Sequence, residues 1–202
     1  MQTTLLIYMA ADNDLDTFAE NDLETIKRAS YDSDMDIVVQ FDRNEFVDQT
    51  NTVRVVIKHG EVVQEEDLGE TNSGDPTVLK AFIEESARAY PSEKLIVILW
   101  SHGSGVDDFD PFAKVERERY YVPEIKTEEI AFGFDDTAQD FLDNLELQKA
   151  LDVSVEIDVL GFDACLMGMF EIAYQLRNQT NVMVASQHLE PAKGWDYERI
   201  LN

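Results

Sequence analysis

Short, unbroken apolar runs separated by amphipathic stretches constrain this chain more than any other feature. Thr3 to Met9, Asp36 to Phe41, Leu95 to Trp100, Ile157 to Phe162 and Val182 to Ala185 are too short for typical helices. Such runs are how strands buried on both faces of a parallel sheet read. Between them, Asp14 to Ala29 carries Leu15, Phe18, Ala19, Leu23 and Ile26 on one helical stripe behind an Asp-rich start. Asp75-Pro76 opens a second helix to about Ala89, with proline in its first turn. Asn144 to Leu151 and Met167 to Arg177 follow as helices, and Thr52 to Lys58 with Val62 to Glu65, joined by His59-Gly60, form a hairpin. The alternation predicts an α/β fold wound on a mostly parallel central sheet.

Two of the apolar runs end in reactive side chains. Leu95 to Trp100 leads into Ser101-His102-Gly103-Ser104-Gly105, and Leu160-Gly161-Phe162 leads into Asp163-Ala164-Cys165-Leu166-Met167-Gly168. If those strands are neighbours, His102 and Cys165 meet at the carboxyl edge of the sheet, where open α/β sheets place their sites. Cys165 is the only cysteine, so an internal disulfide is excluded. A thiol ahead of a helix start would have free N–H groups near it, which favour the thiolate and can hold an oxyanion.

The order of motifs resembles the clostripain-like cysteine peptidases, of the same broad clan as caspases and gingipains. The residues carrying the likeness are Tyr8-Met9-Ala10-Ala11-Asp12-Asn13-Asp14-Leu15, Leu99 to Gly105, Gly133-Phe134-Asp135-Asp136, Asp163 to Gly168 and Glu190-Pro191-Ala192-Lys193-Gly194-Trp195. The resemblance implies a caspase-like α/β/α sandwich and a catalytic dyad of His102 and Cys165. Gly103 and Cys165 would offer backbone N–H groups to the oxyanion. The implied reaction is peptide-bond cleavage through a thioester, typically after a basic residue. Asp163 corresponds to the acid associated with the pocket for that basic side chain. The later family segment commonly reads Glu-Pro-Gly-Asp-Gly-Trp, and here Lys193 stands in place of its acid. This leaves two readings: Lys193 neutralises the pocket, or it points to solvent and Asp163, Asp196 or Glu190 reads the basic group. A catalytically weak relative that binds a peptide or partner through the same cleft is the alternative function.

The segment from Val106 to Ile130 is long, charged and without sustained periodicity. It is an activation loop with processing sites at Lys114, Arg117, Arg119 and Lys126, or a surface loop with a small hairpin at Arg119 to Val122 and Ile130 to Phe134. No cofactor is required. Some relatives depend on calcium, and Asp107, Asp108, Asp110, Asp135 and Asp136 are ligands of the type calcium prefers.

With 42 acidic against 16 basic residues and a net charge of −26, the chain repels nucleic acid and anionic lipid, so its expected partner is a peptide or protein substrate. No apolar stretch approaches membrane-spanning length, and no signal peptide is recognisable. The chain therefore reads as soluble, cytoplasmic or secreted with its signal removed. Its 202 residues fit one domain. The pattern ends soon after the Trp195 motif, which reads as truncation on the C-terminal side, with the remainder of the polypeptide as a further partner.

Overall fold

The computed structural model describes residues 2–29, 34–44, 51–105 and 132–202. Its centre is a seven-stranded sheet made of β1 (Thr3–Ala10), β2 (Met35–Asp42), β3 (Val53–Lys58), β4 (Glu61–Asp67), β5 (Lys94–Trp100), β8 (Ile157–Asp163) and β9 (Thr180–Ala185). The spatial order is β4-β3-β2-β1-β5-β8-β9. Strands β2, β1, β5, β8 and β9 run parallel. Only β3 opposes them, pairing antiparallel with β2 and β4. A separate small hairpin joins β6 (Phe132–Asp135) to β7 (Asp140–Leu142).

Each central strand is apolar on alternate faces for different neighbours. Leu6, Tyr8 and Ala10 of β1 belong to one core with Leu79, Phe82 and Ile83 of α2 (Pro76–Ala89), Leu147 of α3 (Asn144–Ala150) and Ile172 of α4 (Phe170–Gln175). Leu5, Ile7 and Met9 face the other core, with Ala19, Leu23 and Ile26 of α1 (Asp16–Arg28) and Tyr197 and Leu201 of α5 (Tyr197–Leu201). Helices on both faces of a twisted parallel sheet make the expected α/β/α sandwich.

Local chemistry explains the boundaries. α2 starts where Asp75 accepts the Thr77 N–H and Pro76 occupies the first turn. α3 opens on a capping box between Asp143 and Glu146. The β3–β4 hairpin turns through His59 and Gly60, both at positive φ. β4 is exposed along its whole length, and its Glu61, Glu65, Glu66 and Asp67 put charge on an edge that would otherwise template pairing. At the other edge β9 exposes Val182 and Val184, on the face opposite to Met183 and Ala185, which pack against the core that includes Ile172 of α4.

Three elements differ from the sequence expectation. α4 starts at Phe170 rather than Met167, because Leu166 N–H and Gly168 N–H bond to His188 and Ser186 carbonyls instead of turning into a helix. β6 pairs with β7, a strand that the sequence pattern does not predict, whereas the Arg119 to Val122 limb lies outside the described residues. The short helix α5 is likewise not predicted. Among the described residues, no helix is long and apolar enough to cross a membrane.

Candidate active site

The crossovers leave β1 in opposite directions, to β2 on one side and β5 on the other, so the carboxyl edge beside β1 and β5 is the topological switch of the sheet. Ser101 pins that edge. Its hydroxyl donates to Ala10 O at 2.7 Å and its N–H to Asp163 O at 3.3 Å, tying the end of β5 to β1 and β8. His102 comes next. It shares a pocket of about 130 Å³ with Cys165, together with Asp163, Glu190 and Gly194 among others. The two side chains singled out by sequence therefore open onto one cavity. A wider depression of about 410 Å³ lies at the opposite edge of the sheet, around Tyr90, Pro91 and Lys94, and contains neither residue.

The His102 ring is oriented by a residue to which the sequence pattern assigns no role. Its Nε2 lies 2.6 Å from Asp14 Oδ1, on the turn between β1 and α1. Asn13 builds this turn by taking the Leu15 N–H on its carbonyl oxygen and donating to Ala10 O and Phe134 O. The one signal in the sequence is an Asp-Asn-Asp run directly after a buried strand, and it looks like an ordinary acidic helix start.

Cys165 sits in a turn over residues 164–168 rather than at a helix start. Leu166 has φ +62°, and α4 begins only at Phe170. The expected helix N-terminus behind the thiol is therefore replaced by a different donor. Glu190 N–H points to Cys165 Sγ at 3.2 Å, a bond that an anionic sulfur accepts more strongly than a neutral one. Gly103 packs against this turn so closely that a Cβ there would lie 2.5 Å from Cys165 O. Only glycine permits that approach.

Below the thiol is a buried acidic floor. Asp163, 4% exposed, accepts Trp195 N–H and Tyr197 O–H on one oxygen, both at 3.0 Å. Burial nevertheless pushes its carboxyl up to about 7, with Glu190 and Asp22 adding like-charge repulsion. Burial also raises Glu190, whose Oε1 lies 3.4 Å from Trp195 Nε1. Asp22 accepts Trp100 Nε1–H at 3.0 Å, and burial raises it to about 6. Gly194 lies against Asp163 at φ +56°, where a Cβ would come within 2.6 Å of its carboxylate.

Lys193 is not part of this floor. It is exposed and lines a neighbouring depression of about 540 Å³ beside α1, with Asp22, Asp196, Phe18 and Asn21, whereas Asp163 and Glu190 line the dyad pocket. Asp196 caps α5 through the Arg199 N–H. Of the proposed specificity residues, Asp163 is therefore at the dyad pocket, while Lys193 and Asp196 are on the neighbouring surface. Lys114, Arg117, Arg119 and Lys126 lie outside the described residues, as do Asp107, Asp108 and Asp110.

The model of the clostripain family matches residues 7–202. This chain belongs to the clostripain family. All of it aligns with clostripain from Hathewaya histolytica at 28% identity, covering 42% of that protein. A secreted C11 cysteine protease from Bacteroides thetaiotaomicron, solved with an irreversible peptide inhibitor, superposes with a TM-score of 0.71 at 27% identity. That match covers 98% of this chain and 52% of the other. An inactive zymogen C11 protease from Parabacteroides distasonis shares the fold, with a TM-score of 0.69, 22% identity, and 97% and 51% of the two chains covered. The chain thus spans about half the length of these family relatives.

Proposed function

We propose that this clostripain-family chain carries the catalytic half-site of a cysteine endopeptidase that cleaves after basic residues. The observation that carries this reading is the shared pocket of His102 and Cys165 at the carboxyl edge. Cys165 attacks the scissile carbonyl as thiolate. His102 takes the thiol proton and returns it to the departing amine, leaving a thioester for water to hydrolyse. With Asp14 holding Nε2, the imidazole keeps its proton on that nitrogen and presents Nδ1 as the base. The Gly103 and Cys165 N–H groups are the oxyanion donors of this scheme, supported by the close packing of the two backbones.

The acidic floor supports a basic P1 side chain. Asp163 and Glu190 line the dyad pocket and are each held toward the neutral form by burial, with Asp22 adding like-charge repulsion on Asp163. A guanidinium or ammonium entering beside them would restore their ionisation, whereas an acidic or apolar side chain would not. In the same reading, Lys114, Arg117, Arg119 and Lys126 are sites where such an enzyme would cut its own chain.

The test is hydrolysis of fluorogenic peptides differing only at P1 by the full-length protein. Arginyl and lysyl substrates are expected to be cleaved, and Cys165→Ala and His102→Ala to abolish turnover with unchanged circular dichroism. Normal turnover in either variant overturns the dyad.

A further inference from the structure

The depression beside α1 takes no part in the scheme above, yet it adjoins the dyad pocket. Pro191 and Gly194 line both cavities, so the segment from Glu190 to Gly194 is the ridge between them. That ridge is fixed at its dyad end, where Glu190 N–H meets Cys165 Sγ at 3.2 Å, and it closes on itself through Gly194 N–H to Pro191 O at 2.8 Å. Successive residues of a peptide stand about 3.8 Å apart, so with the scissile bond at Cys165 a long side chain close to P1 reaches across the ridge.

The depression, at about 540 Å³, is in the size range of sites that hold ligands. Phe18, Pro191 and Trp195 give it apolar walls, and its charged residues are Asp22, Asp196, Glu198 and Lys193. Asp196 is paired with Arg199 at 3.3 Å, and Lys193 and Glu198 are exposed on the rim. Asp22 differs from these. It is 9% exposed and accepts Trp100 Nε1–H on Oδ2 at 3.0 Å. Among the described residues no other hydrogen bond and no cation acts on it, which leaves Oδ1 for a ligand. Burial raises its carboxyl to about 6, so at neutral pH it is largely ionised. A carboxylate at the floor of aromatic and apolar walls suits a guanidinium better than an ammonium, because the guanidinium plane lies against a ring, its stem covers apolar surface and its N–H groups meet the acid. An acidic side chain there would face Asp22, Asp196 and Glu198 with like charge.

We propose that the depression beside α1 is a second substrate subsite, in which Asp22 receives the guanidinium of an arginine close to P1 in the same peptide. The enzyme then favours segments with two basic residues over those with one. The proposal rests on the reading of the dyad pocket as the P1 site.

The test uses full-length protein and internally quenched peptides with arginine at P1 and alanine elsewhere, in which one position at a time from P3 to P2′ is arginine, alanine or glutamate. The readout is the ratio of kcat/KM for arginine over alanine at that position within one protein, so a general loss of activity cancels. One position should show a ratio of about ten, the lower end for a charge-assisted contact, and glutamate there should fall below alanine. Asp22→Asn, which keeps an acceptor for Trp100, should bring the ratio below about three. Glu198→Lys, on the exposed rim, should lower it about threefold and gives the reading if Asp22→Asn does not fold. A ratio below about five at every position overturns the subsite, as does a ratio unaltered in Asp22→Asn or, where that protein does not fold, in Glu198→Lys. Failure of the P1 reading shows separately, as equal turnover of arginine and glutamine at P1 with alanine elsewhere, and leaves the flanking ratio readable.

Discussion

Asp163→Asn should make the protein more stable at alkaline pH while removing its preference for basic substrates. The folded protein holds the Asp163 proton to about pH 7, whereas its ordinary value is 3.8. Between those values the unfolded chain has lost a proton that the folded protein keeps, so the slope of stability with pH is negative. The contribution is fully present below about pH 4 and is lost as pH rises through about 7. Its span is about 1.4 kcal/mol for each pH unit, or roughly 4 kcal/mol across the window. Asparagine keeps the shape and neutrality of the protonated acid. Its carbonyl can accept the Trp195 N–H and Tyr197 O–H that now converge on Oδ2, and its amide can face Glu190. Urea unfolding of the Cys165→Ala protein, with and without Asp163→Asn, should therefore show the two diverging by roughly 3–4 kcal/mol between pH 4.5 and 8.5. In the active background kcat/KM for arginyl substrates should fall at least about tenfold, because a neutral amide is a poor partner for guanidinium. Parallel pH profiles for the two proteins would refute the buried-acid argument.

Asp14→Ala should lower kcat by about three- to fivefold with little change in KM, since Asp14 positions His102 through a largely exposed contact worth up to about 1 kcal/mol. Asp14→Asn should retain more of the rate. Equal kcat in all three proteins would remove Asp14 from the mechanism. Lys193→Asp should alter kcat/KM for arginyl substrates by less than about threefold, as expected of a screened surface charge. A gain of tenfold or more would return Lys193 to the P1 pocket.

The strands at the centre of the sheet are legible in the sequence because burial on both faces demands unbroken apolar runs. Leu95 to Trp100 and Ile157 to Phe162 match their strands almost to the residue. The capped helices are legible for a related reason: Asp75-Pro76 marks a start by its own chemistry, without help from tertiary contacts. Short elements are not. Four residues of β6 and five of α5 carry too little period to stand out, and they form because Phe132 and Tyr197 are buried by the rest of the fold. The helix expected at Met167 is missing for the opposite reason, since its first N–H groups bond to the strand extension at Ser186 and His188. At the site, His102, Cys165 and Asp163 are readable because each stands at or just beyond the end of a buried apolar run. Asp14, Asp22 and the Glu190 N–H are not, because their roles arise from segments that meet only in space.

The most direct measurement is the rate of covalent labelling of Cys165 by a peptidyl electrophile with arginine at P1, monitored by intact-mass spectrometry of the full-length protein. A catalytic thiol oriented by His102 should take up one label per chain at a rate saturating with reagent. The rate should fall at least about a hundredfold in His102→Ala, the lower end of what a positioned acid–base group contributes. Slow, non-saturating labelling, equal in the parent and in His102→Ala and indifferent to the P1 side chain, would show Cys165 to be an ordinary thiol and contradict the account.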